Sequence, residues 1–188
     1  MLLSVPLKVF AGIILHRVRH NLPEHQHPEQ SSFTPKKSTN DHILALRVLP
    51  ECRREFYQGL LVAYVDLYKA FDSVNQDALW RIHGLRGMLP KLINLMSELY
   101  SGTESAVRCG DIISDLFPFV TGVHSGCVLA PTLFSTCMVW ILGRMSERSS
   151  CGASFGNVNI SHLDFADNVV IFVETLDILL GALEVLNK

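Results

Sequence analysis

The sequence predicts an α+β protein built as a single domain. Three observations carry that expectation. With 188 residues, 48% of them hydrophobic and 18% charged, the chain is long and apolar enough to bury one core. Apolar residues at helical spacing, as in "MLLSVPLKVFAGIILHRV", are interspersed with short strand-like runs such as "LLVAYVDL". No internal repeat occurs, and strands and helices intermix without regular strand–helix–strand alternation.

The elements follow in order. Residues 1–18 could be mistaken for a signal peptide, but Pro6 and Lys8 interrupt the apolar run. Phe10, Ile14 and Val18 recur at helical spacing, so an amphipathic helix is expected there and no membrane span. Residues 21–40, rich in Pro, His and Ser, read as a long loop. His20, His25 and His27 lack a regular element to fix them as metal ligands and read as solvated. Ser38 with Asp41 forms a capping-box pattern, and Ile43, Leu46 and Leu49, with Leu44 and Val48 beside them, mark a helix to about Phe56.

Gly59 ends that element, and a strand over "LLVAYVDL" then places Val62, Tyr64 and Asp66 on one face. Asn75 can cap a helix through Trp80, and a further helix covers Lys91–Tyr100. "ESAVRCGDIIS" reads as a hairpin turning near Cys109-Gly110-Asp111. The glycine loop "GVHSGCVLAP" leads into a helix with Pro131 in its first turn, continuing to about Met145. "HLDFADNVVIF" forms a second hairpin, and "LDILLGALEVLNK" a last helix.

A formal charge of −2 supplies no global attraction for nucleic acid. Such binding would have to come from local clusters: Arg17/Arg19, Lys36/Lys37 or Arg53/Arg54. Five cysteines, odd in number and never spaced C-x-x-C, argue against a disulfide framework or zinc site and fit a reducing compartment.

Two aspartates stand in strand contexts, Asp66 and Asp167. A carboxylate ending a buried apolar strand is costly unless paired or bound to a cation. Two on adjacent strands would suit Mg²⁺, which takes oxygen ligands, in the arrangement that two-metal phosphoryl transfer requires. Spacing alone leaves the other reading open, and it is the commoner one: Asp66 as a turn cap and Asp167-Asn168 as a simple hairpin turn.

The flanking residues add a resemblance. "AYVDLYKAFDSVNQDALW" (63–80), "GVHSGCVLAPTLF" (122–134) and "LDFADNVVIF" (163–172), preceded by "EHQHPEQSSFTPKKSTNDHILALR" (24–47), resemble in order and separation the reverse transcriptases of non-LTR (LINE-type) retrotransposons. The likeness covers nearly the whole chain. It implies a right-hand polymerase fold with an antiparallel palm sheet packed on helices. Residues 1–60 would be fingers elements and 61–188 mainly palm, with the thumb absent. It also implies RNA-directed DNA synthesis with two Mg²⁺ (or Mn²⁺) ions, an RNA template, a DNA primer and deoxynucleoside triphosphates.

Carried over by position, Asp66 and Asp167 resemble the metal ligands, with Asn168 beside them in the catalytic hairpin and the Leu67 carbonyl as a backbone ligand. Lys69 and Ala70 fall where backbone amides meet the triphosphate. Phe71 matches the bulky gate that excludes a ribose 2′-hydroxyl; its bland reading is ordinary core. Gly122 and Gly126 match the flexible loop against the templating pair. Lys37 falls where the family has a basic residue near phosphate, and its bland reading is a solvated charge.

Departures from the pattern predict impaired or absent catalysis. Asn168 stands where the family has a second aspartate. Its amide brings no negative charge and places an NH₂ donor beside a cation. At an effective dielectric near 20, a charge missing about 4 Å from an ion forfeits roughly 4 kcal/mol per unit of ion charge. His124-Ser125-Gly126 replaces the usual Arg-Gln-Gly, Val139 an acidic residue, and Ser32-Phe33-Thr34-Pro35-Lys36 the usual Gly-Phe-Arg-Pro-Gly. The competing expectation is therefore a decayed or repurposed non-catalytic fragment, with RNA binding as one role left open to it.

Overall fold

The computed structural model describes residues 4–19, 38–124 and 126–187. Chain contacts divide the protein into two compact units, each assembled from two separated stretches. The first takes in the described residues of Met1–His25 with Lys69–Cys137, and the second those of Gln26–Tyr68 with Met138–Lys188.

In the first unit, α1 (Val5–Arg19) packs on α5 (Pro90–Tyr100), and α5 on α4 (Gln76–Leu85). The buried stripe of α1 is Ala11, Ile14, Leu15 and Val18. Phe10 lies outside that stripe and is exposed, because the i, i+3, i+4, i+7 set starting at Ala11 makes a narrower face than the spacing of Phe10 suggested. Asn75 caps α4 by accepting from the Ala78 amide at 2.9 Å, and Pro90 occupies the first turn of α5.

The expected hairpin forms as a long ribbon of two paired segments. β2 (Glu104–Ser105) pairs with β5 (Phe117–Pro118), and β3 (Arg108–Cys109) with β4 (Ile112–Ile113). It turns at Gly110, whose φ of +61° suits a residue without Cβ. The short helix α3 (Ala70–Ser73) lies within the motif at residues 63–80. α6 (Ala130–Ser149) contributes residues 130–137 to this unit and 138–149 to the second.

The second unit is built on an antiparallel sheet, β1 (Leu61–Asp66), β9 (Asn168–Val173) and β8 (His162–Phe165), in the spatial order β1-β9-β8. Among the described residues, β1 and β8 are its outer strands. β9 is buried from Val169 to Val173, as a central strand with two covered faces should be. On one face Leu163, Val170 and Phe172 form a core with Ala153, closed by Ala45, Leu46 and Leu49 of α2 (Thr39–Glu55). A short hairpin of β6 (Ala153–Phe155) and β7 (Val158–Ile160) packs beside α2. α7 (Leu176–Leu186) lies against β1 and β9.

The capping box at α2 forms as the sequence predicts. Ser38 Oγ accepts from the Asn40 amide at 3.2 Å, and Asp41 Oδ2 from the Ser38 amide at 2.9 Å. α2 spans the expected stretch; Ile43, Leu44 and Val48 are exposed, since the apolar residues exceed the width of one helix face and Ala45, Leu46 and Leu49 take the core. One expectation about this helix is corrected. Arg53 is no surface charge for nucleic acid. It is buried, donating to the carbonyls of Ser154 (2.9 Å) and Gly59 (2.6 Å) and to Glu174 Oε1 (2.8 Å). The Arg53 bond to Glu174, with the Ser154 amide donating to the same oxygen at 3.4 Å, holds that carboxyl below the usual carboxylate range. No helix among the described residues is long and apolar enough to cross a membrane.

Candidate metal and nucleotide sites

Strand register in the second unit sets Asp66 beside the turn that holds Asp167 and Asn168. β1 and β9 pair so that Asp66 stands directly opposite Asn168. Directly opposed residues on antiparallel strands have Cβ atoms about 4.5–5.5 Å apart. The backbone extends the contact past the last pair, because the Leu67 amide donates to the Asp167 carbonyl at 3.1 Å. Asp167 and Ala166 make the two-residue connection from β8 to β9, closed by the pairing of Phe165 with Asn168. Ala166 sits at φ +58°, the left-handed conformation that such tight hairpins demand and that costs a non-glycine residue about 1 kcal/mol.

Asp66 and Asn168 are exposed and Asp167 is half-buried. The expectation of a costly buried carboxylate at Asp66 is thus corrected: the strand end reaches solvent, so the charge is hydrated. The amide at 168 turns onto its neighbour, with Asn168 Nδ2 donating to Asp167 Oδ1 at 3.1 Å. It thereby occupies part of the acceptor capacity of the carboxylate that would ligate a cation. Among the described residues, neither aspartate forms a salt bridge. Asp164, which sequence reasoning passed over, is buried on β8 opposite Val169. Its position within an apolar run gave no signal distinguishing it from a strand end.

The remaining motif residues lie in the first unit. Lys69, at φ 50° and ψ 40°, starts α3, and its carbonyl accepts from the amides of Asp72 (2.8 Å) and Ser73 (2.9 Å). Ala70 is buried and Phe71 half-buried. The Phe71 ring stacks on that of Phe134, with centroids 4.7 Å apart and planes 16° from parallel.

The glycine loop is locked to the same segment. The Gly122 amide donates to the Val74 carbonyl (2.8 Å), the Val123 amide to the Phe71 carbonyl (2.7 Å), and Gln76 Nε2 to the Gly122 carbonyl (3.1 Å). Gly122 has φ +84°, and a Cβ there would come within 2.7 Å of Asp72 Cα and 2.8 Å of the Phe71 and Asp72 carbonyl oxygens. Only glycine fits. Gly126 is exposed, and Ser125 and Lys37 lie outside the described residues, as do His20, His25 and His27.

His124 was noticed in the sequence only as a departure, and the structure gives it a role. It is buried, stacked on Tyr100 at 4.4 Å and edge-on to Phe119 at 4.5 Å, while Trp80 meets Tyr100 edge-on at 5.7 Å. Burial lowers its pKa and raises that of the Tyr100 hydroxyl. The imidazole at 124 is part of an aromatic cluster, turned away from solvent.

The fold is a partial right-hand polymerase fold, the architecture of template-directed polymerases. The reverse transcriptase (RNA-dependent DNA polymerase) family pattern matches residues 1–188, and the chain belongs to that family, as a partial domain of the non-LTR kind.

Its curated relatives include the Pol polyprotein of the type-2 retrotransposable element R2DM of Drosophila melanogaster. That protein is 26% identical over 148 residues, which are 79% of this chain and 14% of the relative. The transposon TX1 149 kDa protein of Xenopus laevis is 25% identical over 176 residues, 93% of this chain and 14% of that protein. The chain thus spans about a seventh of these relatives. Among solved structures, apo telomerase from Candida tropicalis, truncated from its C-terminal domain, superposes with a TM-score of 0.56 at 17% identity, covering 97% of this chain and 36% of that one. The Candida tropicalis telomerase in complex with a fragment of telomeric RNA gives 0.56 at 16%, covering 95% and 30%.

Proposed function

We propose that the chain carries the metal-binding and sugar-selecting residues of an RNA-directed DNA polymerase, with RNA as template, a DNA primer and deoxynucleoside triphosphates as substrates, and that Asn168 leaves it catalytically impaired. The observation that supports this reading best is the register opposing Asp66 to Asn168, with Leu67 bonded to Asp167. Reverse transcriptases as a class use divalent metal ions.

The residues present fit such an ion by donor type. Magnesium is ordinarily held by one or two carboxylates together with substrate phosphates and water, without an all-protein cage. No group of three or more His, Cys, Asp or Glu able to hold a metal occurs among the described residues; two oxygen-donor carboxylates stand on neighbouring chain segments. Asp66, Asp167 and the Leu67 carbonyl would hold the ion. When bound, it would lower the pKa of the primer hydroxyl and offset phosphate charge.

The chain's own residues supply the rest. Phe71 sets a flat apolar wall against the sugar, so a 2′-hydroxyl would be both crowded and stripped of water. Gly122 lets the loop approach the Phe71–Asp72 backbone without a side chain between them. Asn168, neutral and bonded to Asp167, withholds one charge from the cation and competes for another carboxylate's lone pair.

Primer extension on an RNA template, with Mg²⁺ or Mn²⁺, tests the reading. Trace synthesis is expected from the chain as it stands, abolished by Asp66→Asn and raised, though not to efficient levels, by Asn168→Asp. Robust processive synthesis by the unaltered chain would overturn the impairment, and trace synthesis indifferent to Asp66→Asn would overturn the site. The bond from Asn168 to Asp167 favours one second reading, a chain without synthesis, for which RNA binding is the activity left to test. It predicts no extension from any variant alongside RNA affinity that falls steeply with salt.

A further inference from the structure

The Phe71 ring does not stand on its own support. It belongs to a four-residue helix, far too short to persist without tertiary contacts. Its backbone is held on one side by the glycine loop, through the 2.7 Å bond from the Val123 amide to the Phe71 carbonyl and the close approach of Gly122 to Asp72. Its ring is held by another group, the nearly parallel face of Phe134 at 4.7 Å. Phe134 is itself buried near the start of the long helix α6, with 3% of its surface exposed, so it is a fixed platform and Phe71 the ring that rests on it.

We propose that Phe134 is a positioning residue for sugar selection: by stacking on Phe71 it fixes the wall that separates deoxyribo- from ribonucleotides. The inference rests on the reading of Phe71 as that wall. Steric rejection of one hydroxyl depends on where the blocking atoms stand, and a misplacement of about 1 Å already costs a positioned reaction about a hundredfold in rate. The backbone clamp fixes the Phe71 Cα but leaves its ring two rotatable bonds, and the Phe134 face removes that freedom. Phe134 touches no nucleotide in this scheme and acts only through Phe71.

The test is equilibrium binding of dGTP and of GTP, each with Mn²⁺, to the full chain and to Phe71→Val, Phe134→Leu, Phe134→Met and Phe134→Tyr. Thermal melts confirm that each variant is folded. The unaltered chain is expected to favour dGTP, and Phe71→Val to erase that preference by tightening GTP. Phe134→Leu and Phe134→Met should lower the preference about three- to tenfold, the range a stacked ring pair commands, whereas Phe134→Tyr, which keeps the ring, should retain it. The double variant Phe71→Val with Phe134→Leu should match Phe71→Val alone, since Phe134 has no route to the sugar except through Phe71.

If Phe71→Val relaxes the preference and both ring-deleting changes at Phe134 leave it intact, the inference about Phe134 falls and the sugar-wall reading stands. If the unaltered chain shows no preference or binds neither nucleotide, or if Phe71→Val changes nothing, that reading falls and the inference falls with it. A further loss in the double variant would overturn the claim that Phe134 acts through Phe71.

Discussion

Replacing Asn168 with aspartate reverses the electrostatics of the palm hairpin, and the structure supplies the magnitudes. Asp66 stands directly across the strands from position 168, and the amide of Asn168 lies 3.1 Å from an oxygen of Asp167. A carboxylate introduced there meets Asp66 at about 5 Å, worth about 0.8 kcal/mol of repulsion in water and about 3 kcal/mol at an effective dielectric of 20. Asp66 and Asn168 are exposed, so the lower figure governs, at about 1 kcal/mol per neighbour. Loss of the bond to Asp167 adds about 1 kcal/mol more.

Without metal, Asn168→Asp should therefore destabilise the protein by about 2–3 kcal/mol and lower Tm by roughly 5–10 °C for a chain of this length. A divalent cation converts the same charge into a gain. Attraction to a double charge at about 4 Å is about 2 kcal/mol even in water, so affinity should rise at least tenfold. Asp167→Asn should lower it below that of the starting chain. Calorimetric titration of Mg²⁺ and Mn²⁺ into the three proteins, with melts at zero and saturating metal, measures both arms. Equal metal affinity across the set would refute the reasoning and reduce the hairpin to a turn.

Gly122→Ala should destabilise by about 2–4 kcal/mol in denaturant titration, because its Cβ collides with the Asp72 backbone and the residue must hold φ +84°; stability within 0.5 kcal/mol of the parent would show that the loop is not clamped. Arg53→Ala should cost about 3 kcal/mol by the same assay, since it strands the Ser154 and Gly59 carbonyls, whereas Arg54→Ala should be nearly neutral. His83 is fully buried, and neither ring nitrogen has a hydrogen-bond partner among the described residues. Burial, with the nearby Arg86 charge, lowers its pKa to about 4. The unfolded chain therefore takes up a proton near pH 6.5 that the folded chain refuses. Stability from this group is complete above pH 6.5, declines as pH falls and is gone below about 4. The span amounts to roughly 3 kcal/mol, and His83→Phe should flatten it in melts across that range.

Features written in neighbouring residues were legible in the sequence. The Ser38/Asp41 box, the Asn75 cap, the turn at Gly110 and the Asp167 hairpin each depend on contacts a few residues apart, and all appear where expected. Boundaries drifted where nothing local marks an end: α4 runs on to Leu85 and α6 to Ser149. Arg53 was misread because its partners lie 6, 101 and 121 residues away, and an arginine beside another arginine looks like surface charge. The burial of His124 was not legible for a related reason. Its aromatic neighbours come from α5 and the segment after β5, and no local pattern announces a buried imidazole. The candidate carboxylate site was half legible. Both aspartates could be named from their motifs, but the cross-strand partner of Asp66 follows only from register, which a run of similar apolar residues does not specify.

The order β1-β9-β8 also bears on how the protein behaves in concentrated solution. Both outer strands present a row of backbone donors and acceptors that no described strand covers. β8 is short, but β1 is six residues long, holds no lysine or proline, and carries its single charge at its last residue. Leu61 and Tyr64 are exposed along it. Natural sheets discourage edge-to-edge pairing with lysines, prolines, bulges or brevity, and β1 uses none of the first two and lacks the last. A net charge of −2 supplies weak colloidal repulsion in compensation. Association along this strand at high concentration is the expected outcome, and Tyr64→Lys the smallest change expected to oppose it; light scattering that rises equally for both proteins would show that the strand plays no part.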